Sequence, residues 1–307
     1  MKKYQKVLVL VISVFLLTGC TKFLKDSNNK PIKNNETGQM ITENIICRPT
    51  NETTIEIYNE NNIDLNKLPK CSKFSPIGNY EGLWTSLFVK PLAWVIIKIG
   101  LLLKNYGLAL IVTCLLIRLI LYPFTKKTAM QSELLKKAQP EMQKIEKKYE
   151  NKTSAEDQNK KAQEMMLVYQ KYKVNPVSGC LLAFIQLPLL LAFYEAIQRT
   201  PAIFEDKLLG LQLGTTPNVG ITSATFYAYT ILMLLIAGTT FFSLKMNSTG
   251  NMQDPSMKMM PIMMSIMIVV TAIFMPTGLG IYWVTSNLFT IGQNILVKRS
   301  KEVNGKA

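Results

Sequence analysis

The chain has 307 residues, 48% of them hydrophobic, a formal net charge of +15 and no histidine. Without imidazole, His-ligated metal sites and triads that use histidine as base are excluded, and most hydrolase chemistry goes with them. Several apolar runs near twenty residues predict an all-α polytopic membrane protein.

Residues 1–19 carry a basic start, Lys2, Lys3 and Lys6, then an apolar run from Val7 to Leu17, and read as a signal peptide. The following Gly19-Cys20 resembles a bacterial lipobox, which implies cleavage before Cys20 and a diacylglyceryl group on its thiol. Two acyl chains hold a protein stably on a membrane, so the mature N-terminus is expected at the outer face.

Residues 20–81 are rich in Asn, Lys and Glu and read as an extracytoplasmic tether or a very small outer subdomain. Its one regular patch, Thr54 to Tyr58, looks β-like. The five cysteines form no CxxC pair; Cys47 and Cys71 lie on the expected oxidising side, and their spacing leaves open whether they join. Residues 82–104 are apolar but interrupted by Lys90, Pro91 and Lys98, with Trp84 and Trp94 among them. That pattern predicts an amphipathic helix on the outer surface, the alternative being a further span.

The first span is 107–124, an apolar run with Arg118 inside it. Eleven Leu, Ile, Val and Phe residues outweigh one arginine at roughly +3 kcal/mol, so the run still inserts. Arg118 stands about 9 Å from the Phe124 end. Two readings follow: the side chain snorkels to the nearer interface, or it faces a wet cavity in a helix bundle.

Residues 125–177 form a basic segment, with twelve lysines and seven acids between Thr125 and Asn175. The positive-inside rule places it in the cytoplasm. Leu135, Ala138, Met142, Ile145 and Tyr149 make one helical stripe; Ala162, Met165 or Met166, Tyr169 and Tyr172 make a second. Together they predict a hairpin turning at Glu150 to Ser154, capped by Thr153 or Ser154 with Asp157, and kinked or restarted at Pro140. Its charge suits acidic partners, the ribosome or the signal recognition particle and its receptor; a solvated hairpin with no partner is the plainer reading.

The second span is 178–197, with Gln186 and Pro188; an outer loop follows at 198–223. Span 3 is 224–244, an inner loop covers 245–258, span 4 is 259–275, span 5 is 278–297, and a basic cytoplasmic tail covers 298–307. Span 5 carries Trp283, Asn287, Thr290 and Asn294 at 4-3-4 spacing, flanked by Tyr282, Ser286 and Gln293. Such a polar stripe is either interhelical glue or, with Arg118 and Gln186, the lining of a cavity.

The motifs IRLILYPFTKKTAMQSE, QPEMQKIEKKY, VNPVSGCLLAFIQLPLLLAFYEAI, DPSMKMMPIMM and MPTGLGIYWVTSNLFTIGQ cover roughly residues 80 to 299. In this order they resemble the YidC/Oxa/Alb membrane protein insertases, in particular the Gram-positive lipoprotein branch. The resemblance implies five transmembrane helices around a hydrophilic groove open to the cytoplasm and to lipid and closed outside. Arg118 matches the family's groove arginine, and Gln186, Tyr282 and Trp283 match positions near or lining that groove. The partners implied are nascent membrane proteins, the Sec translocon and membrane lipids of the bacterial cell membrane, with no cofactor and no enzymatic step. A solute or anion transporter and a passive membrane scaffold are the competing readings; no P-loop is present, and no internal repeat of the transporter kind is found.

Overall fold

The computed structural model describes residues 21–78, 80–175, 178–247 and 255–304. The signal peptide, Cys20, residues 248–254 of the inner loop and the last three residues lie outside the described residues. The chain divides into two compact units, the first made of residues 1–116, 188–236 and 270–285, the second of 117–187, 237–269 and 286–307.

In the first unit the N-terminal segment is a folded subdomain. Leu24, Ile41, Ile45, Tyr58 and Leu65 bury a small core against which Ile32, Ile55 and Ile63 pack. Tyr58 donates its hydroxyl to the Thr42 carbonyl at 2.8 Å, and burial pushes its phenol well above the ordinary range.

The stretch expected to be β-like is instead helix α1, Glu52–Glu60. Asn51 caps it, its Oδ1 accepting the Thr54 N–H at 3.0 Å, and Glu52 lies in the first turn. The buried residues Thr54 and Tyr58 are four apart and share a helix face, so cap and core override the β-preference of the isoleucines.

A disulfide joins Cys47 to Cys71 across a sequence separation of 24. So small a core needs such a staple. Chain entropy assigns this loop about 3.5 kcal/mol. Replacing both cysteines by serine is expected to open residues 47–71 to limited proteolysis, while the helices beyond residue 85 keep their protection.

One π-helical turn, Thr85–Val89, leads into α2, Lys90–Leu103, which buries Leu92, Ala93, Ile96, Ile97 and Gly100 along one face. Lys104 takes a left-handed conformation at φ 54°, and the chain turns back within two residues into the next helix. Gly100 is required there, because a Cβ would collide with the Tyr106 ring.

Helix α3 runs without a break from Tyr106 to Lys148, with Pro123 and Pro140 inside it. The helix continues past Phe124, the expected end of the first span, and of the kink or restart expected at Pro140 the restart does not occur. Each proline removes one backbone bond, and the helical residues on both sides carry it through.

Helix α4 is Ala155–Lys171, capped by Ser154, whose Oγ accepts the Asp157 N–H at 3.1 Å. It packs antiparallel on the second half of α3: Lys171 Nζ meets Glu141 at 2.6 Å and Lys148 Nζ meets Glu164 at 2.5 Å. Its packed face carries Val168 with Met165, Tyr169 and Tyr172 of the expected second stripe, whereas Ala162 is exposed and Met165, not Met166, is the inward methionine.

Lys171 and Tyr172 hold the Glu141 carboxyl below the usual range, and Lys148 and Tyr149 do the same for Glu164. Hydrogen bonding to the same acids raises Lys148 and Lys171. A depressed carboxylate stabilises above its unfolded value, about 4.3, and that contribution is lost as pH falls through the folded value. A raised lysine stabilises below its unfolded value, about 10.4, and that contribution is lost as pH rises through the folded value. Spin labels at the exposed positions Lys137 and Gln163 are therefore expected to report a fixed distance at neutral pH and a broadened one well into acid or above about pH 10.5.

The remaining helices are α5, Ser178–Arg199; α6, Pro201–Phe204; α7, Pro217–Gly220; α8, Phe226–Asn247; α9, Pro255–Ala272; and α10, Thr277–Asn304. Between α6 and α7 the strands β1, Lys207–Leu208, and β2, Leu211–Gln212, form a two-stranded antiparallel hairpin, so the expected outer loop is itself ordered. Helix α9 begins at Pro255, inside the expected inner loop.

Among the described residues three helical stretches are long and apolar enough to cross a membrane: Thr85–Leu103, Tyr106–Lys148 and Phe226–Asn247. The first is the stretch the sequence reading laid on the surface.

Candidate functional site

The second unit holds a chain of polar contacts between helices. Arg118, on α3, is only 4% exposed. Its Nη2 donates to Gln186 Oε1 on α5 at 2.5 Å and to Ser286 Oγ on α10. Both acceptors are neutral. The guanidinium Nε is buried without a hydrogen-bond partner among the described residues. A cation buried on two neutral acceptors has a charge that neither compensates; desolvation makes that costly, which marks Arg118 as a candidate functional residue.

Two turns further along α3, Thr125 donates to Gln293 Oε1 on α10 at 3.0 Å. Arg118 and Ser286, and Thr125 and Gln293, have the same sequence separation of 168, so α3 and α10 run parallel and in register here. The step of seven residues returns each pair to nearly the same helix face. A second ladder ties α10 to α8: Asn287 Nδ2 reaches Thr240 Oγ1 at 3.0 Å, and Asn294 Nδ2 reaches Asn247 Oδ1 at 3.1 Å, both at a separation of 47. Thr290 turns its hydroxyl to the Ser286 carbonyl of its own helix at 2.9 Å.

The stripe expected on span 5 therefore has two uses. Asn287, Gln293 and Asn294 bond to neighbouring helices, the glue reading, each such bond contributing about 0.6 to 2 kcal/mol. Arg118 and Gln186 meet directly. Ser286, which flanks the stripe in the sequence, is the second acceptor for Arg118.

Tyr282 and Trp283 belong to the first unit. Tyr282 is fully buried and stacks on Phe193 with ring centroids 4.2 Å apart; Trp283 is half-buried.

The first unit also contains a charged cluster that sequence reasoning missed. Arg199, at the end of α5, is 1% exposed. Its Nη2 meets Glu81 Oε2 at 2.5 Å, its Nε donates to the Asn44 carbonyl at 2.7 Å, and its Nη1 donates to Thr85 Oγ1 at 3.3 Å. Glu81 also takes Lys90 at 2.7 Å, and Trp84 Nε1 donates to Glu195 at 2.8 Å. Burial pushes the Glu81 carboxyl up, but Lys90 and Arg199 outweigh it and hold it below the usual range. One guanidinium thus pins the N-terminal subdomain, the entry to α2 and the end of α5 together.

Nothing among the described residues forms a cluster of ligands for a metal ion.

The family model described as "60Kd inner membrane protein" matches residues 98–304. The membrane protein insertase YidC 2 of Bacillus anthracis is 42% identical over 219 residues, covering 71% of this chain and 82% of that protein. The insertase MisCA of Bacillus subtilis is 40% identical over 217 residues, covering 70% and 79%. A crystal structure of an active YidC insertase with its first transmembrane domain resolved aligns with a TM-score of 0.52 at 23% identity, over 78% of this chain and 50% of that one. The chain thus spans half the length of that solved protein and shares its fold. With the family model matched over residues 98–304 and relatives at about 40% identity matched over about four fifths of their own length, the chain belongs to the 60Kd inner membrane protein family, that of the YidC insertases.

Proposed function

We propose that this protein is a membrane protein insertase and chaperone, receiving polar segments of nascent membrane proteins beside Arg118 and releasing their apolar helices into lipid. The observation that carries the reading is the buried Arg118, hydrogen-bonded to two neutral acceptors, in a chain 42% identical to a relative named as an insertase. A wet site partway through a membrane shortens the apolar barrier for a polar tail, and a weakly screened cation favours acidic tails.

The proposed topology has five spans, made by the first part of α3 and by α5, α8, α9 and α10, around a groove open to the cytoplasm. The α3–α4 hairpin is cytoplasmic, α2 lies on the outer surface, and Cys20 carries the lipid anchor. The parallel course of α3, α8 and α10 supports this, since first, third and fifth spans must share a direction. Gln186 and Thr290 line the groove beside Arg118, with Asn287, Gln293 and Asn294 fixing its wall. Tyr282 and Trp283 enter the site by family resemblance alone.

The Sec translocon, and the ribosome or the signal recognition particle and its receptor on the basic hairpin, complete the proposed set of partners. A photoreactive residue at Gln186 or Ser286 tests the site in living cells. Crosslinks to nascent membrane proteins are expected from both, and their absence from both would count against the groove.

A further inference from the structure

The two sulfurs of the Cys47–Cys71 disulfide are not equivalent. Cys47 is completely buried, whereas Cys71 is half-buried and lines a cleft of about 510 Å³. One side of that cleft is the N-terminal subdomain, with Thr50, Lys70 and Ser72; the other is formed by Leu101 of α2, Tyr106 of α3 and Glu205 after α6. Lys70, Ser72 and Lys73 around Cys71 are all exposed. An incoming thiolate is an anion, and flanking cations stabilise it on approach. The two acids of the cleft are already engaged: Glu205 accepts Thr50 Oγ1 at 2.7 Å, and Asp206 accepts the Tyr106 N–H at 2.6 Å.

We propose that this disulfide is a thiol–disulfide exchange site, addressed at Cys71 through the cleft, and that its partner is a thiol–disulfide oxidoreductase on the outer side of the membrane. The location rests on the outer placement of residues 21–78 proposed above; the chemistry does not. The partner's thiolate attacks Cys71 Sγ, the S–S bond breaks, and Cys47 leaves as a thiolate that takes up a proton. A mixed disulfide now joins the partner to Cys71. The partner's second cysteine attacks its own sulfur in that bond, releasing the Cys71 thiolate, which is protonated. Two electrons and two protons have passed to this chain, and the partner leaves as a disulfide. The reverse sequence, with the partner arriving oxidised, installs the bond.

The bond sits at a joint. Next to Cys47, the Ile46 N–H donates to the Arg199 carbonyl at 2.9 Å, and the Arg48 N–H donates to the Pro69 carbonyl at 2.9 Å. Thr50 is tied to Glu205, so opening the strap loosens the chain between two fixed points.

The test uses the full-length protein in detergent with reduced glutathione as probe, acid trapping and peptide mass spectrometry. Glutathione is expected on Cys71 in at least tenfold excess over Cys47. Equal labelling, labelling of Cys47, or no reaction without denaturant would overturn the site. Lys70→Glu with Lys73→Glu is expected to slow the reaction severalfold at low salt; an unchanged rate overturns the electrostatic guidance. In cells, Cys47→Ala is expected to trap an oxidoreductase on Cys71, and adducts confined to small thiols overturn that choice of partner. A membrane-impermeant maleimide that fails to reach Cys71 of this variant in intact cells, while exchange proceeds in detergent, refutes the outer placement and leaves the chemistry standing.

Discussion

Arg118→Ala is expected to abolish insertion of substrates with acidic outer tails, and Arg118→Lys to retain part of it. A unit charge about 4 Å from a carboxylate contributes about 4 kcal/mol at an effective dielectric near 20. A third of that, about 1.4 kcal/mol, already changes occupancy tenfold. Lysine keeps the charge but loses the planar fork that Gln186 and Ser286 hold in place, so it restores attraction without orientation. The measurement is protease protection of a single-span substrate in cells depleted of the wild-type protein, with a neutral-tailed substrate alongside. The neutral tail should be affected much less. Equal loss for both tails would mean that the arginine acts through helix packing.

The second large effect is at Arg199. Its replacement by alanine leaves Glu195 buried with Trp84 as its remaining hydrogen-bonding partner and removes the bond to the Asn44 carbonyl. Breaking a buried ion pair on one side costs about 3 to 5 kcal/mol, and the lower figure applies because Glu81 is 40% exposed and rehydrates. Arg199→Ala is therefore expected to release residues 21–78 to proteolysis and to lower the thermal transition of the first unit. Adding Glu195→Gln should recover part of the loss, since the stranded charge is then gone. No change in either readout would show that the N-terminal subdomain is held by its other contacts, such as Gln39 to Gln198 and Thr50 to Glu205.

Much of the second unit was legible in the sequence. An arginine inside an eighteen-residue apolar run demands a partner, and Gln186 was the polar residue available in the apolar run that follows the basic segment. The Ser154 cap was equally plain, because the spacing to Asp157 is local chemistry. The choice of Ser286 as second acceptor depends on the relative register of α3 and α10, which no single segment encodes. Asn287 and Asn294 were visible as a stripe, but their use as ties to α8 needed that helix in place.

The first unit was harder to read. Thr54 to Tyr58 has β-forming residues and becomes a helix because Asn51 caps it and Tyr58 must reach Thr42. Glu81, Lys90, Glu195 and Arg199 each resemble ordinary interfacial charges when taken alone, and only the fold brings them to one point. Local chemistry fixed the cap at Ser154; long-range pairing fixed the subdomain.

Insertion into proteoliposomes containing only this protein tests the central claim most directly. The substrate is a small single-span protein with an acidic outer tail, added during synthesis, and the readout is the fraction of tail protected from external protease. Protection well above that in empty liposomes, lost with Arg118→Ala and partly restored with Arg118→Lys, is the predicted result. Protection no greater than in empty liposomes, or equal for wild type and Arg118→Ala, would contradict it.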